Sequence, residues 1–362
     1  MFFTIFIALA SLIGLMIIHE LGHFVIAKKF GVKIEEFGIG YPPRLLGKKI
    51  GGTLYSLNLL PFGAFVKIYG EEKEIDDYSS FSGKPVWQRI LIVLGGVISF
   101  WIVAAVLLTI VMGLGAPTAV SDEDSSDLKE PSVQIIAVAS NSPAEISDLA
   151  AGDVIKRLTI DSQQLTINKV KEVQEFTEAH KGEEIVLTIQ RGKEVFDVSL
   201  VPRLSPPEGE GAIGVGLVRV AIKNYPWYQA PIQGVLETLG LTKSIVMGLA
   251  GVMGNVAGGA GFPPGVQLMG PVGVFGLFTQ MAQLGIIYFL RFVAAISVYL
   301  AIFNILPIPA LDGGKLAFLI LEGIRRKPID QKIEQGIHFT FFVLLIFLMI
   351  FVTIKFDIPR IF

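Results

Sequence analysis

The chain has 362 residues, of which 52% are hydrophobic and 17% charged, with a mean hydropathy of +0.63 and a formal net charge of −2. That balance leaves too little polar surface for an ordinary soluble enzyme, and the absence of a basic tract argues against a nucleic-acid partner. With no cysteine, disulfides, thiolate ligands and a cysteine nucleophile are all excluded, so any metal must be held by imidazole and carboxylate.

The first apolar run, residues 2–18, lacks a basic start and continues into Ile17-Ile18-His19-Glu20 without a small-residue cleavage site, so it reads as a retained span and not as a signal peptide. It closes on His19-Glu20-Leu21-Gly22-His23. Histidines at i and i+4 share one helix face and can grip one zinc ion, with Glu20 beside the water that such an ion activates. Ionisable groups at the end of an apolar run are costly to place, which makes them functional candidates; the plain alternative leaves both histidines at the water interface. Residues 90–114 form the second run. The loop between the two runs is flanked by Lys28, Lys29 and Lys33 and by Lys84 and Arg89, which assigns it to the cytoplasm, whereas Asp122, Glu123, Asp124 and Asp127 open the segment beyond.

Residues 130–203 alternate apolar and polar positions around turns and one helical stretch, the pattern of a small extracytoplasmic α+β domain, and residues 205–211 follow as a linker. Residues 224–285 are apolar but broken by glycines and by Phe262-Pro263-Pro264-Gly265. They read as amphipathic or interfacial helices. The main alternative is a fifth span at 236–256, which would turn the basic loop beyond Asp312 outward. Runs at 286–306 and 339–354 complete a polytopic α-helical membrane protein of about four transmembrane helices. Its parts are an N-terminal membrane core (1–114), the inserted domain (130–203), the interfacial helices (224–285) and a C-terminal membrane core (286–362).

A catalytic zinc takes three protein ligands and keeps one position open, so a third ligand must come from elsewhere. Asp312 is the candidate. It closes Asn304-Ile305-Leu306-Pro307-Ile308-Pro309-Ala310-Leu311-Asp312-Gly313-Gly314, where two prolines break the helix and let a carboxylate point into the bundle. An aspartate that only caps the next helix remains the alternative. Asn304 is a candidate donor to an oxyanion or, equally, a tie for the broken backbone. His180 and His338 read as surface or interface residues.

These motifs resemble the site-2 protease family of intramembrane zinc metalloproteases, most closely the bacterial regulator-of-sigma-E protease branch. The resemblance implies zinc as cofactor, His19, His23 and Asp312 as its ligands, Glu20 as general base and Asn304 as a substrate-handling residue. It also implies a membrane-associated β-hairpin, similar here to residues 34–70, which either pairs with an unwound substrate strand or merely plugs the site. Asn141 to Glu145 and Leu149 to Ile155 resemble a PDZ domain, present once where the best-known members of the branch carry two; it would bind a peptide end or act as a size filter. A second departure is Gly95-Gly96-Val97-Ile98-Ser99-Phe100, where the family usually has Gly-Pro-x-x-Asn-Phe. The segment Gly270-Pro271-Val272-Gly273-Val274 also resembles a family element and reads as a helix-packing device. The implied function is cleavage of single-span membrane proteins, such as anti-sigma factors or remnant signal peptides, in the bacterial cytoplasmic membrane, with the active site toward the cytoplasm and the PDZ-like domain outside. The lipid bilayer is then the solvent and nucleic acid is no partner. The contrasting function is a catalytically silent receptor whose PDZ-like domain senses peptides above a structural metal. An intact Glu20 argues against it, because a structural zinc is closed by four ligands and needs no base.

Overall fold

The computed structural model describes residues 2–361 apart from 125–127, 162, 193, 208, 260 and 262–267. Asp127, the linker residue Glu208 and Phe262-Pro263-Pro264-Gly265 therefore lie outside the described residues.

The first apolar run extends into one unbroken helix, α1 (Phe2–Lys29), so the His-Glu motif lies inside the helix and not at its end. No proline interrupts it. Two long strands follow, β1 (Ile34–Ile50) and β2 (Thr53–Ile68). Each bends at its middle, so residue Ile39 pairs with both Ala64 and Leu57, and Leu57 pairs again with Leu46. The hairpin thus folds over into four segments in the order 60–68, 34–41, 53–58, 44–50. Gly40 permits the bend: its φ is +77°, and a Cβ there would lie 2.6 Å from the Leu60 carbonyl oxygen. Buried Asn58 closes it by donating Nδ2 to the Gly40 carbonyl at 3.0 Å.

Helix α2 (Val86–Leu114) starts directly after Pro85 and runs back alongside α1. A Cβ on Gly22 would lie 2.2 Å from the Gly95 carbonyl oxygen, so the two backbones are in contact and only glycine fits on either side. Beyond α2 the chain builds a β domain from β3 (Ala116–Ala119), β4 (Lys129–Val138), α3 (Pro143–Ile146), β5 (Val154–Ile160), β6 (Gln163–Thr166), α4 (Val170–Ala179), β7 (Ile185–Arg191), β8 (Glu194–Leu200) and β9 (Val215–Lys223). Its sheet has the order β3-β9-β4-β5-β7-β8, with β6 on β5. The sheet is wider than residues 130–203 because β3 and β9, the strands that leave and re-approach the helices, pair with each other and β9 pairs with β4. Val133, Ile135, Ile155, Leu158, Leu187 and Ile189 form its core at 0% exposure. Arg191 grips the buried Asp153 through two bonds, Nε to Oδ1 at 2.7 Å and Nη2 to Oδ2 at 2.8 Å.

Helix α5 (Ala230–Ala257) is continuous over 28 residues, where the sequence suggested shorter interfacial helices. It is followed by α6 (Pro271–Leu284), α7 (Ile286–Ile305), α8 (Asp312–Arg325) and α9 (Gln331–Val352), the last continuing through a π-helical turn (Thr353–Asp357) into α10 (Ile358–Ile361). Among the described residues five helices, not four, are long and apolar enough to cross a membrane by length and composition, and α5 is the addition. Helix α5 ends at Ala257, before the Phe262-Pro263-Pro264-Gly265 segment in the sequence. Both α5 and α7 run antiparallel to α2. Gly234 sits against Thr109, Trp101 Nε1 donates to Thr242 Oγ1 at 3.2 Å, and Ser297 Oγ donates to the Phe100 carbonyl at 2.8 Å. Leu284, at the end of α6, lies against Gly152 of the β domain. Consequently α7 starts on the β-domain side and ends on the side where α1 ends, despite the added helix.

Candidate metal centre

Three elements bring the site together. Helix α1 supplies His19, Glu20 and His23 from adjacent faces of one and a half turns. Helix α7 stops at Ile305 because the residue before a proline avoids the helical region; Leu306 is extended (φ −62°, ψ 142°). The chain then turns through Pro307 and Pro309 and restarts as α8 with Asp312 as its first residue. This restart is tight. A Cβ on Gly313 would lie 2.0 Å from the Leu306 carbonyl oxygen, and one on Gly314 2.4 Å from Pro309 Cα, which accounts for the paired glycines. Asp312 makes no capping hydrogen bond to α8, as the alternative role would require; its carboxylate turns toward α1 instead. The positive end of α8 favours an ionised carboxylate there.

His19 Nε2 lies 3.1 Å from Asp312 Oδ2, His23 Nε2 lies 3.5 Å from the same oxygen, and the two imidazole nitrogens are 3.3 Å apart. A tetrahedral zinc with bonds of about 2.0–2.1 Å separates its ligand atoms by about 3.3 Å. The triangle therefore has the size that one ion needs. The protonation pattern fits as well. His23 Nδ1 donates to the Ile92 carbonyl at 2.9 Å, which leaves its Nε2 a lone pair directed into the triangle. Asp312 Oδ2 is buried and makes no hydrogen bond. Lone pairs that face one another in a buried place repel unless a cation lies among them. His19 Nδ1 has no partner, and the ring is held by stacking on Phe100, with centroids 4.7 Å apart and planes 15° apart. Among the described residues this is the only cluster of three or more such side chains that could hold a metal.

Around the triangle lie groups that motif reasoning did not find. Gly96 is one: a Cβ there would lie 2.2 Å from His23 Nε2, so α2 must present bare backbone to the ligand. The Gly95-Gly96 pair was visible in the sequence, but its partner was not. Val66 is another. Its backbone N–H donates to Glu20 Oε2 at 3.0 Å, which brings the outer edge of segment 60–68 against the candidate base. A backbone donor leaves no trace in residue identity. Ser99, where the resemblance led one to look for asparagine, is buried and donates to the Gly96 carbonyl of its own helix at 2.6 Å. Asn304 donates Nδ2 to the Leu300 carbonyl at 2.9 Å, also within its helix. His180 lies outside the cluster, paired with Glu183 at 2.9 Å, and His338 lies 3.9 Å from Glu334.

Comparison with known proteins shows the family. Residues 7–348 match the model of peptidase family M50. A putative zinc metalloprotease of Clostridium perfringens is 35% identical over 97% of this chain and 97% of its own length. Another, from Clostridium acetobutylicum, is 33% identical over 98% and 97%. The regulator of sigma-W protease RasP of Bacillus subtilis is 28% identical and aligns over the full length of both chains. With the family match spanning nearly the whole chain and its apolar helices enclosing a His-His-Asp triangle of zinc dimensions, this protein belongs to the M50 peptidases, the site-2 protease family of zinc metalloproteases.

Proposed function

We propose that the protein is an intramembrane endopeptidase that cuts the transmembrane segments of single-span membrane proteins, with His19, His23 and Asp312 as zinc ligands and Glu20 as general base. The observation that carries the proposal is the triangle of 3.1, 3.3 and 3.5 Å edges with Glu20 one residue away on the same helix. Zinc bound there supplies Lewis acidity, which polarises the scissile carbonyl and makes water a competent nucleophile near neutral pH. Glu20 takes the proton from the attacking water and delivers it to the leaving amine. The Val66 N–H fixes the orientation of the carboxylate and leaves its other oxygen for that proton. Asn304, at the end of α7, is assigned the handling of the substrate carbonyl, for which its amide must leave the Leu300 carbonyl.

A peptide bond in a helix is shielded by its own hydrogen bonds, so the substrate must unwind. Segment 60–68 is an edge of the folded-over hairpin and lies beside Glu20, which favours capture of the unwound stretch as an added strand. We assign residues 130–203 as a single PDZ-like domain. Contact of Leu284 with Gly152 and Gly192 favours a filter seated over α6 more than free capture of peptide ends. Basic residues around the hairpin favour a cytoplasmic position for that side in a bacterial cytoplasmic membrane, with the β domain outside. Membrane-tethered anti-sigma factors and remnant signal peptides are the substrates this arrangement suits.

The test is cleavage of a single-span substrate by the purified full chain, compared with Glu20→Gln, with zinc measured in both. The expected result is one zinc per chain in each and a loss of at least about a hundredfold in rate for the variant. Equal cutting by both proteins, or no zinc in the wild type, rejects the assignment; zinc with no cutting by either favours the silent receptor.

A further inference from the structure

Helix α9 is attached to the rest of the protein in an unusual manner. None of its residues is fully buried, and its apolar side chains are exposed or only partly covered. Polar contacts hold its two ends. On the hairpin side, the Glu74 N–H donates to Gln331 Oε1 at 2.9 Å and Gln335 Nε2 donates to the Glu72 carbonyl at 2.8 Å. At the far end lies Asp357, only 1% exposed. Its Oδ1 accepts the Gly270 N–H at 2.9 Å, at the N-terminus of α6, while Oδ2 is buried without a hydrogen bond. The socket is shaped for the carboxylate. A Cβ on Gly270 would lie 2.6 Å from Oδ2 and one on Gly273 2.7 Å from Oδ1. The π-helical turn at Thr353–Asp357 widens the helix where the side chain turns inward, a distortion often found at functional positions.

A buried carboxylate with an unpaired oxygen is costly in an apolar setting, and the partial cover of α9 offers little to offset it. Such a joint holds through a few polar contacts and can be released, unlike an apolar interface. What it holds is connected to the metal centre. Helix α6 buries Phe278 at 0% exposure in the cluster that contains Leu15 of α1 and Phe100, the ring stacked on His19. We infer that Asp357 is a positioning residue. Its carboxylate latches the last span to α6 and narrows the crevice between α9 and the helix bundle through which a transmembrane segment reaches the zinc site. The inference rests on the proposed function for the purpose of the crevice, but not for the latch itself.

The experiment uses the absence of native cysteine. Spin labels are placed at Val272 on α6 and Phe351 on α9, both exposed, in the zinc-loaded full chain carrying Glu20→Gln and held in lipid nanodiscs. The distance distribution should be narrow with Asp357 intact. It should broaden or lengthen in Asp357→Ala, and equally in Gly273→Ala, which opposes the latch from the socket side, whereas Asp357→Asn retains the acceptor and stays close to the parent. Zinc content should be unchanged throughout. The association rate of a fluorescent single-span peptide should rise at least threefold in the two released variants. An unchanged distance distribution overturns the latch. A changed distribution with an unchanged association rate overturns its role in substrate access. Loss of zinc with the distances intact would make Asp357 a support of the metal centre and equally overturn the inference. None of these readouts requires proteolysis, so failure of the latch and failure of the protease assignment are distinguishable.

Discussion

At the residue scale, the centre is defined by what is missing as much as by what is present. Gly96 contributes nothing but space, yet a single methyl there would lie 2.2 Å from His23 Nε2. Because His23 Nδ1 is tied to the Ile92 carbonyl of α2 itself, the ring cannot swing clear of that helix without losing the bond. Gly96→Ala is therefore expected to lower zinc to near zero per chain and to abolish cleavage, measured by metal analysis and a substrate assay. A mutation of the same size at exposed Gly248, where a Cβ meets nothing within 4 Å, should leave both unchanged. In the β domain, Arg191→Ala leaves the 1%-exposed Asp153 without its cation and is expected to cost about 2 kcal/mol in stability, measured by denaturant unfolding.

At the element scale, the hairpin acts through its edge. The donor to Glu20 is a main-chain group, so a side-chain change at Val66 keeps it and only proline removes it. Val66→Pro is expected to slow cleavage about tenfold or more, in line with loss of a charge-assisted hydrogen bond, while Val66→Ala stays within a few-fold of wild type; zinc content should be equal in both. The sequence marked residues 34–70 as a hairpin but did not reveal the doubling into four segments, because the bend depends on Gly40 and Asn58 meeting across 18 positions. The length of α5 was hidden for a similar reason. Its glycines looked like breaks, but Gly234 is a contact point against Thr109 of α2, while Gly240, Gly248, Gly251 and Gly254 face open space and are tolerated within the helix.

At the scale of the whole molecule, α2 organises the membrane core. It touches α1 at Gly95, α5 at Thr109, α7 at Phe100 and α8 through Arg89, which forms a bidentate ion pair with Glu322. The antiparallel course of α5 and α7 beside it places the hairpin and the β domain at opposite ends of the bundle. Single cysteines introduced at Lys73 and Lys181 should accordingly be labelled from opposite faces of a sealed membrane by an impermeant reagent. Labelling of both from one face would reject the five-helix arrangement in the membrane.

The sequence by itself singled out the candidate metal ligands. His19-Glu20-Leu21-Gly22-His23 and Asp312-Gly313-Gly314 are local patterns whose spacing and helix breaks follow from helical periodicity and the steric properties of proline and glycine. It also marked the chain as a membrane protein, since apolar runs of spanning length need no tertiary context to be recognised. Only the tertiary structure decided which backbone touches which. The approach of Gly96 to His23, the Val66 N–H on Glu20 and the seating of Asp357 on Gly270 join residues 46 to 87 positions apart through main-chain atoms or empty space. Neither kind of contact leaves a signature in side-chain identity.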